Sequence, residues 1–136
     1  MNSYAHAFPQ DKPIWFCDCD PTCVATVLRQ FNIEAYGNIL HITPEQVPTG
    51  PVDIFVIGSD CRPWTILGNR KGMGDLRAEP YWEFWGIIEM MDEDNRPRIV
   101  IVENSTEVQF TEAQKLCIAR GRGLTYVPAE HVLDSR

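Results

Sequence analysis

Three short apolar runs, PIWFCD (13–18), VDIFVIG (52–58) and RIVIVEN (98–104), alternate with longer stretches whose apolar residues recur every three or four positions. Strands alternating with helices of ten or more residues predict an α/β fold, a mainly parallel sheet with flanking helices. The length permits it. A chain of 136 residues can remove roughly two-thirds of its unfolded surface from water. With 44% hydrophobic and 23% charged residues and no low-complexity run, the composition is that of a folded domain.

In chain order, residues 1–12 read as a flexible N-terminal segment and 13–136 as the folded domain. The run 13–18 predicts a short buried strand. In PTCVATVLRQF (21–31), Val24, Val27, Leu28 and Phe31 fall on one helix face, with Asp20 and Pro21 placed as cap and first-turn residue. The run 52–58 predicts a second buried strand. In EPYWEFWGIIEMM (79–91), Trp82, Trp85, Ile88 and Met91 or Ile87 have helical spacing, and 98–104 predicts a third strand. TEAQKLCIARG (111–121) predicts a helix stopped by Gly121 or Gly123, and LTYVP (124–128) a further strand.

Charge and cysteine content narrow the function. A net charge of −7 excludes an overall positive field for non-specific grip on phosphates. The opening residues lack a basic segment followed by an apolar one, and nowhere do about 18 apolar residues run together. The expectation is a soluble, cytoplasmic protein with no membrane partner. Cys17, Cys19, Cys23, Cys61 and Cys117 are an odd number, read as free thiols in a reducing compartment. CDCDPTC lacks the second pair or nearby histidines of a structural zinc site, so Cys17, Cys19 and Cys23 are expected to be small buried hydrophobes and no metal is expected.

Ligands of parallel α/β sheets sit beyond the carboxyl ends of the strands, which singles out Asp18–Asp20, Gly58–Thr65 and Glu103–Ser105. Asp18 either holds ribose hydroxyls, or it or Asp20 caps the helix that follows. Cys61 stands where a nucleophile would, between Asp60, which opposes a thiolate, and Arg62, which supports one. Taken alone, those residues favour a packing thiol, since most cysteines are that. Glu103 ends an apolar strand, where a carboxyl group either faces a cleft or is simply exposed.

Taken in order, DIFVIGSDCRPWTILG, GMGDLRAEPYWEFWGII and RPRIVIVENS resemble the strand, Pro-Cys loop and strand-Glu-Asn-Val series of the DNA cytosine-5 methyltransferases. WFCDCDPTCVATVLRQFN and the following YGNI are similar to that family's ribose- and adenine-binding segments. The resemblance runs from about Pro13 to the C-terminus and implies a Rossmann-like sheet. It implies Cys61 as the nucleophile that adds to C6 of a flipped cytosine, Glu103 as the acid at N3, and Asn104 as its support. Asp18, Asn38 and Gly58 become the positions for S-adenosylmethionine, and Asp75 and Arg77 resemble the Asp-x-Arg that follows the catalytic loop.

Several positions depart from the family pattern. Asp60-Cys61-Arg62 stands where the family has Pro-Cys-Gln, and Ser105 replaces the valine of Glu-Asn-Val. Nothing like Phe-x-Gly-x-Gly precedes Trp15, and AEHVLDSR resembles the segment just before the family's Gln-Arg-x-Arg motif. The expectation is a truncated methyltransferase domain, inactive alone, acting on DNA when a second polypeptide complements it. The alternative is a non-catalytic remnant that binds a partner or forms a homo-oligomer through Trp64, Trp82 and Trp85, whose spacing also suits an ordinary core.

Overall fold

A pair of parallel strands organises each half of the chain. The computed structural model describes residues 10–65, 68 and 71–104, in one unit through Pro48 and another from Thr49. The helix over 111–121, the strand over 124–128 and Cys117 lie outside the described residues, as do residues 1–9 of the N-terminal segment.

In the first unit β1 (Trp15–Cys17) leads through α1 (Pro21–Phe31) to β2 (Glu34–Tyr36), with Trp15 opposite Glu34 and Cys17 opposite Tyr36. The Asp20 carboxylate accepts from the Thr22 backbone N–H at 2.8 Å, which caps α1, and Pro21 supplies a fixed φ in its first turn. Asn32, with φ 51°, adopts the left-handed conformation and donates its N–H to the Leu28 carbonyl, ending the helix. The helix matches the predicted span, but its predicted face is only partly covered. Val27 is buried, whereas Leu28 is 45% exposed. The strand β2 was not foreseen, because three residues, Glu-Ala-Tyr, are too few to show a period of two. A 3₁₀ turn, Pro44–Gln46, is tied back to β1 where the Trp15 indole N–H donates to the Gln46 carbonyl at 2.8 Å.

In the second unit β3 (Ile54–Gly58) and β4 (Ile99–Glu103) pair in parallel from Ile54 opposite Ile99 to Gly58 opposite Glu103. The register is set at the entry end. Val52 donates its N–H to the Asn95 carbonyl at 3.1 Å and accepts from Arg98 N–H at 3.3 Å, and Ile99 N–H donates to the Asp53 carbonyl at 3.0 Å. The strand over 52–58 was expected to be buried. Instead one face, with Phe55 and Ile57, is covered, while Val56, Ile99 and Ile101 on the other face are exposed.

The core of this unit comes from α2 (Glu79–Met90), which buries Tyr81, Phe84, Ile87 and Ile88. Phe84 packs on Phe55 with ring centroids 4.9 Å apart and edge-on against Trp85 at 5.2 Å. Ile87, Ile88 and Met91 of the predicted stripe are buried, but in the first half of the helix the buried positions lie one residue earlier than predicted. Aromatic residues at 81, 82, 84 and 85 permit either stripe, and packing selects Tyr81 and Phe84, leaving Trp82 38% exposed and Trp85 half-buried. Arg96 closes the far end of α2, donating from Nη2 to the Glu89 carbonyl at 3.0 Å and from Nε to that of Met91 at 3.2 Å.

Two 3₁₀ turns, Gly72–Gly74 and Leu76–Ala78, lead into α2. Between them the buried Asp75 accepts from the Arg77 backbone N–H at 3.0 Å, from Nε at 2.9 Å and from Nη2 at 2.7 Å. The guanidinium first, and the backbone N–H second, hold the Asp75 carboxyl well below the usual carboxylate range.

Two outcomes follow from this packing. Phe84→Ala should lower the unfolding free energy of this unit by about 3–5 kcal/mol in urea titrations, the usual cost of truncating a buried phenylalanine. Asp75 has a depressed pKa in the folded state, so its stabilisation is complete above the unfolded pKa and is lost as pH falls through the folded value. The melting temperature of Asp75→Asn should therefore lie below that of the parent at neutral pH. The gap, followed by circular dichroism, should hold down to about pH 5 and close progressively below about pH 4.

Candidate active site

Because β3 and β4 run in parallel and end in register, Gly58 and Glu103 finish side by side and the chain leaves both strands at one level. Glu103 is exposed, so its carboxylate incurs no burial cost. A Cβ built on Gly58 would lie 3.4 Å from Glu103 Oε2, in van der Waals contact with the end of that side chain. The half-buried Asn104 then reaches across. Its side-chain amide donates to Ser59 Oγ at 2.6 Å and to the Ser59 carbonyl at 3.4 Å, while Ser59 N–H donates to the Glu103 carbonyl at 3.5 Å.

Two residues after Ser59, Cys61 is exposed on a loop that is held on both sides. The Cys61 carbonyl accepts from Trp64 N–H at 3.0 Å and Thr65 N–H at 3.1 Å, and Gly72 N–H donates to the Pro63 carbonyl at 2.8 Å. Pro63 is fully buried, and Trp64 packs edge-on against Tyr81 at 6.0 Å in a cluster with Ala78. Gly68 passes directly over the loop. A Cβ on it would fall 1.7 Å from the Arg62 carbonyl oxygen, so the position requires glycine.

Asp60 and Arg62, which flank Cys61, are joined to each other. Asp60 Oδ1 accepts from the Arg62 backbone N–H and from its Nε, each at 2.9 Å, and Oδ2 accepts from Nε and Nη2. The carboxyl of Asp60 is thereby held low, chiefly by the guanidinium hydrogen bond, and Arg77 adds a smaller electrostatic effect. Arg62 is held high by the same pairing. Lys71, Gly74, Asp75, Leu76 and Arg77 line an open cleft of about 370 Å³ in this unit, with Leu76 78% exposed.

In the first unit, Asp18 and Asn38 follow the ends of the adjacent strands β1 and β2. Asp18 N–H donates to the Tyr36 carbonyl at 3.1 Å, which carries the pairing one step past β1. Asp18 Oδ1 accepts from Asp20 N–H at 2.8 Å. The helix cap is Asp20, so Asp18 shapes the loop that precedes the helix. Asn38 Oδ1 accepts from Leu40 N–H at 3.0 Å, heading the turn Ile39–His41.

The cysteines of this stretch are not the buried hydrophobes expected. Cys19 is exposed, and Cys17 and Cys23 are half-buried, because a three-residue strand turns quickly into a surface loop. The Cys17 thiol donates to the Gly37 carbonyl at 2.7 Å and is pushed up to about 11, first by partial burial and then by the Asp18 charge. Among the described residues, no group of three or more His, Cys, Asp or Glu side chains is arranged to hold a metal ion. Among the same residues, no helix is long and apolar enough to cross a membrane.

The second unit thus brings Gly58, Cys61, Glu103 and Asn104 to one pair of strand ends, and the first unit brings Asp18 and Asn38 to another. Sequence reasoning missed Ser59 as the tether of Asn104, Pro63 and Gly68 as anchors of the loop, and the closure of Asp60 on Arg62. The last had a signal. Aspartate hydrogen-bonds the backbone two residues on, and of the four Asp-x-Arg triplets in the sequence, those starting at Asp60 and Asp75 close in this way.

The model of the C-5 cytosine-specific DNA methylase family matches residues 4–118. The type II methyltransferase M.AluI of Cellulosimicrobium cellulans is 28% identical over 92 residues, which make up 64% of this chain and 17% of that protein. The chain therefore spans 17% of the length of this relative. With a parallel α/β architecture, the Cys61 loop beside a Glu-Asn strand end, and a family match over most of its length, the chain belongs to the C-5 cytosine-specific DNA methylases.

Proposed function

We propose that this chain supplies the nucleophile and acid of a cytosine-5 DNA methyltransferase, and that it needs further polypeptide to turn over. The observation that carries this reading is the in-register end of β3 and β4. It sets Glu103 beside Gly58 and ties Asn104 to Ser59, two residues from the exposed Cys61. The Cys61 sulfur adds to C6 of the cytosine while Glu103 engages N3, which leaves C5 electron-rich. After C5 is methylated, a base removes its proton, the C6–S bond breaks and the sulfur leaves as thiolate. The target atoms are stacked within the duplex, so the base must be flipped out to meet an exposed thiol.

The donor set at the ends of β1 and β2 fits the adenosine end of S-adenosylmethionine. Asp18 offers a carboxylate to ribose hydroxyls and Asn38 an amide to the adenine. S-adenosylmethionine, when bound, supplies the electrophilic methyl group. In this reading the glycine-rich turn for its methionine part and the Gln-Arg-x-Arg motif come from polypeptide other than these 136 residues. A second polypeptide that provides them restores DNA as the substrate.

Trapping tests the reading. The chain, alone and mixed with polypeptides carrying the glycine-rich turn and the arginine motif, is incubated with 5-fluorocytosine DNA and S-adenosylmethionine and resolved by denaturing electrophoresis. A covalent adduct at Cys61 is expected only in the complemented mixtures, lost in Cys61→Ala and strongly reduced in Glu103→Gln. No adduct in any combination would overturn the proposal.

A further inference from the structure

The two residues that flank Cys61 carry opposite charges and are bonded to each other across it. Arg62 meets Asp60 with its backbone N–H, its Nε and its Nη2, so both carboxylate oxygens are engaged by the one residue. The backbone hydrogen bond closes an aspartate turn around Cys61, and the guanidinium folds back over the same turn. Asp75 and Arg77 repeat the arrangement, with the same backbone and Nε bonds at 3.0 and 2.9 Å. Both Asp60 and Arg62 feel the charge of Arg77, and Arg62 in turn feels Cys61 when ionised. Asp60, Arg62 and Arg77 thus act on one another around this loop, with Asp75 holding Arg77 in place and Glu103 at the neighbouring strand end.

We propose that Arg62 is the positioning residue of the Cys61 loop: by engaging both oxygens of Asp60 it fixes the turn and cancels the negative charge next to the thiol. An unneutralised carboxylate one residue away would oppose the thiolate that must attack, and among the described residues Arg62 is the cation hydrogen-bonded to Asp60. The importance of the pair for methyl transfer rests on the nucleophile reading of Cys61, but the device itself is a property of the free protein.

The experiment is alkylation of the full chain by iodoacetamide, an uncharged electrophile, with Cys61 followed by peptide mass spectrometry from pH 6 to 9. Exposed Cys19 in the other unit serves as internal reference. Arg62→Gln should slow Cys61 at neutral pH by about fivefold, the effect of a unit charge at about 4 Å in water. Asp60→Asn, which keeps an oxygen for the turn and leaves Arg62 without its counter-charge, should speed it. The double variant should return to within about twofold of the parent, since both charges are gone. In about 0.5 M salt the Arg62→Gln effect should shrink. If Arg62→Gln leaves the rate unchanged, or the double variant is slowed as much as Arg62→Gln alone, the proposal is overturned. The two readings fail separately: the alkylation pattern needs neither DNA nor S-adenosylmethionine, and adduct formation does not require the pattern.

Discussion

Everything at the strand ends depends on the register of two parallel strands. Parallel pairing puts Gly58 and Glu103 at the same height, and the bonds of Val52 with Asn95 and Arg98 fix that height from the opposite end. A slip of one residue would turn Phe55 and Ile57 off the face that α2 covers and would move Glu103 away from Gly58. The contact of Phe55 with Phe84 opposes such a slip with core packing. A hydrophobic preference at one end of the strands thereby determines which polar groups meet at the other. Asn104, the next residue of the chain, can reach Ser59 only because that level is shared.

Charge at the site follows a different rule from charge over the chain. The protein carries −7 overall, yet Asp60 and Asp75 are each bonded to an arginine two residues away. Pairs so close in sequence form at little cost in chain ordering, because the aspartate turn already brings the two residues together. Exposure sets how much each pair stabilises. Asp75 is buried, so its pairing is part of the fold, whereas Asp60 is half-buried and Arg62 is open to solvent and screening, so that pair adds less to stability. Relative to Pro-Cys-Gln, both neighbours of the cysteine have changed, and they have changed in compensating senses. A turn fixed by proline becomes a turn fixed by hydrogen bonds, and the added negative charge arrives with a positive one.

Local signals were legible in the sequence, and distant partnerships were not. The helix over 21–31 could be read because its start, Asp20-Pro21, and its periodicity agree within a dozen residues. The strand that leads to the Cys61 loop and the strand that ends in Glu103 could be read because apolar runs stop abruptly at Gly58 and Glu103. By contrast, β2 is three residues long, and the stripe of α2 depends on which of two adjacent aromatic pairs meets Phe55, a contact no local pattern encodes. The bond from Asn104 to Ser59 spans 45 residues and exists only once the register does. The exposed cysteines were misread for a similar reason. Their burial depended on how soon the chain leaves β1, and composition does not report that.

The site and the core of the second unit are not separate structures. Pro63 and Trp64 close the Cys61 loop, and they are also core residues, with Trp64 against Tyr81 and the carbonyl of Pro63 holding Gly72. The loop is therefore anchored from within by apolar burial and from its side by Asn104, while Cys61 between these anchors remains exposed. Such an arrangement separates two demands that usually conflict. A nucleophile, the role proposed for Cys61, must be open to its substrate, and its position must be defined before the substrate arrives. Here the definition comes from neighbours two and three residues away, so exposing the thiol costs the core nothing. The tight approach of Gly68 to the Arg62 carbonyl completes the enclosure of the loop backbone, which leaves the side chains of Cys61 and its charged neighbours as the parts able to respond to a ligand.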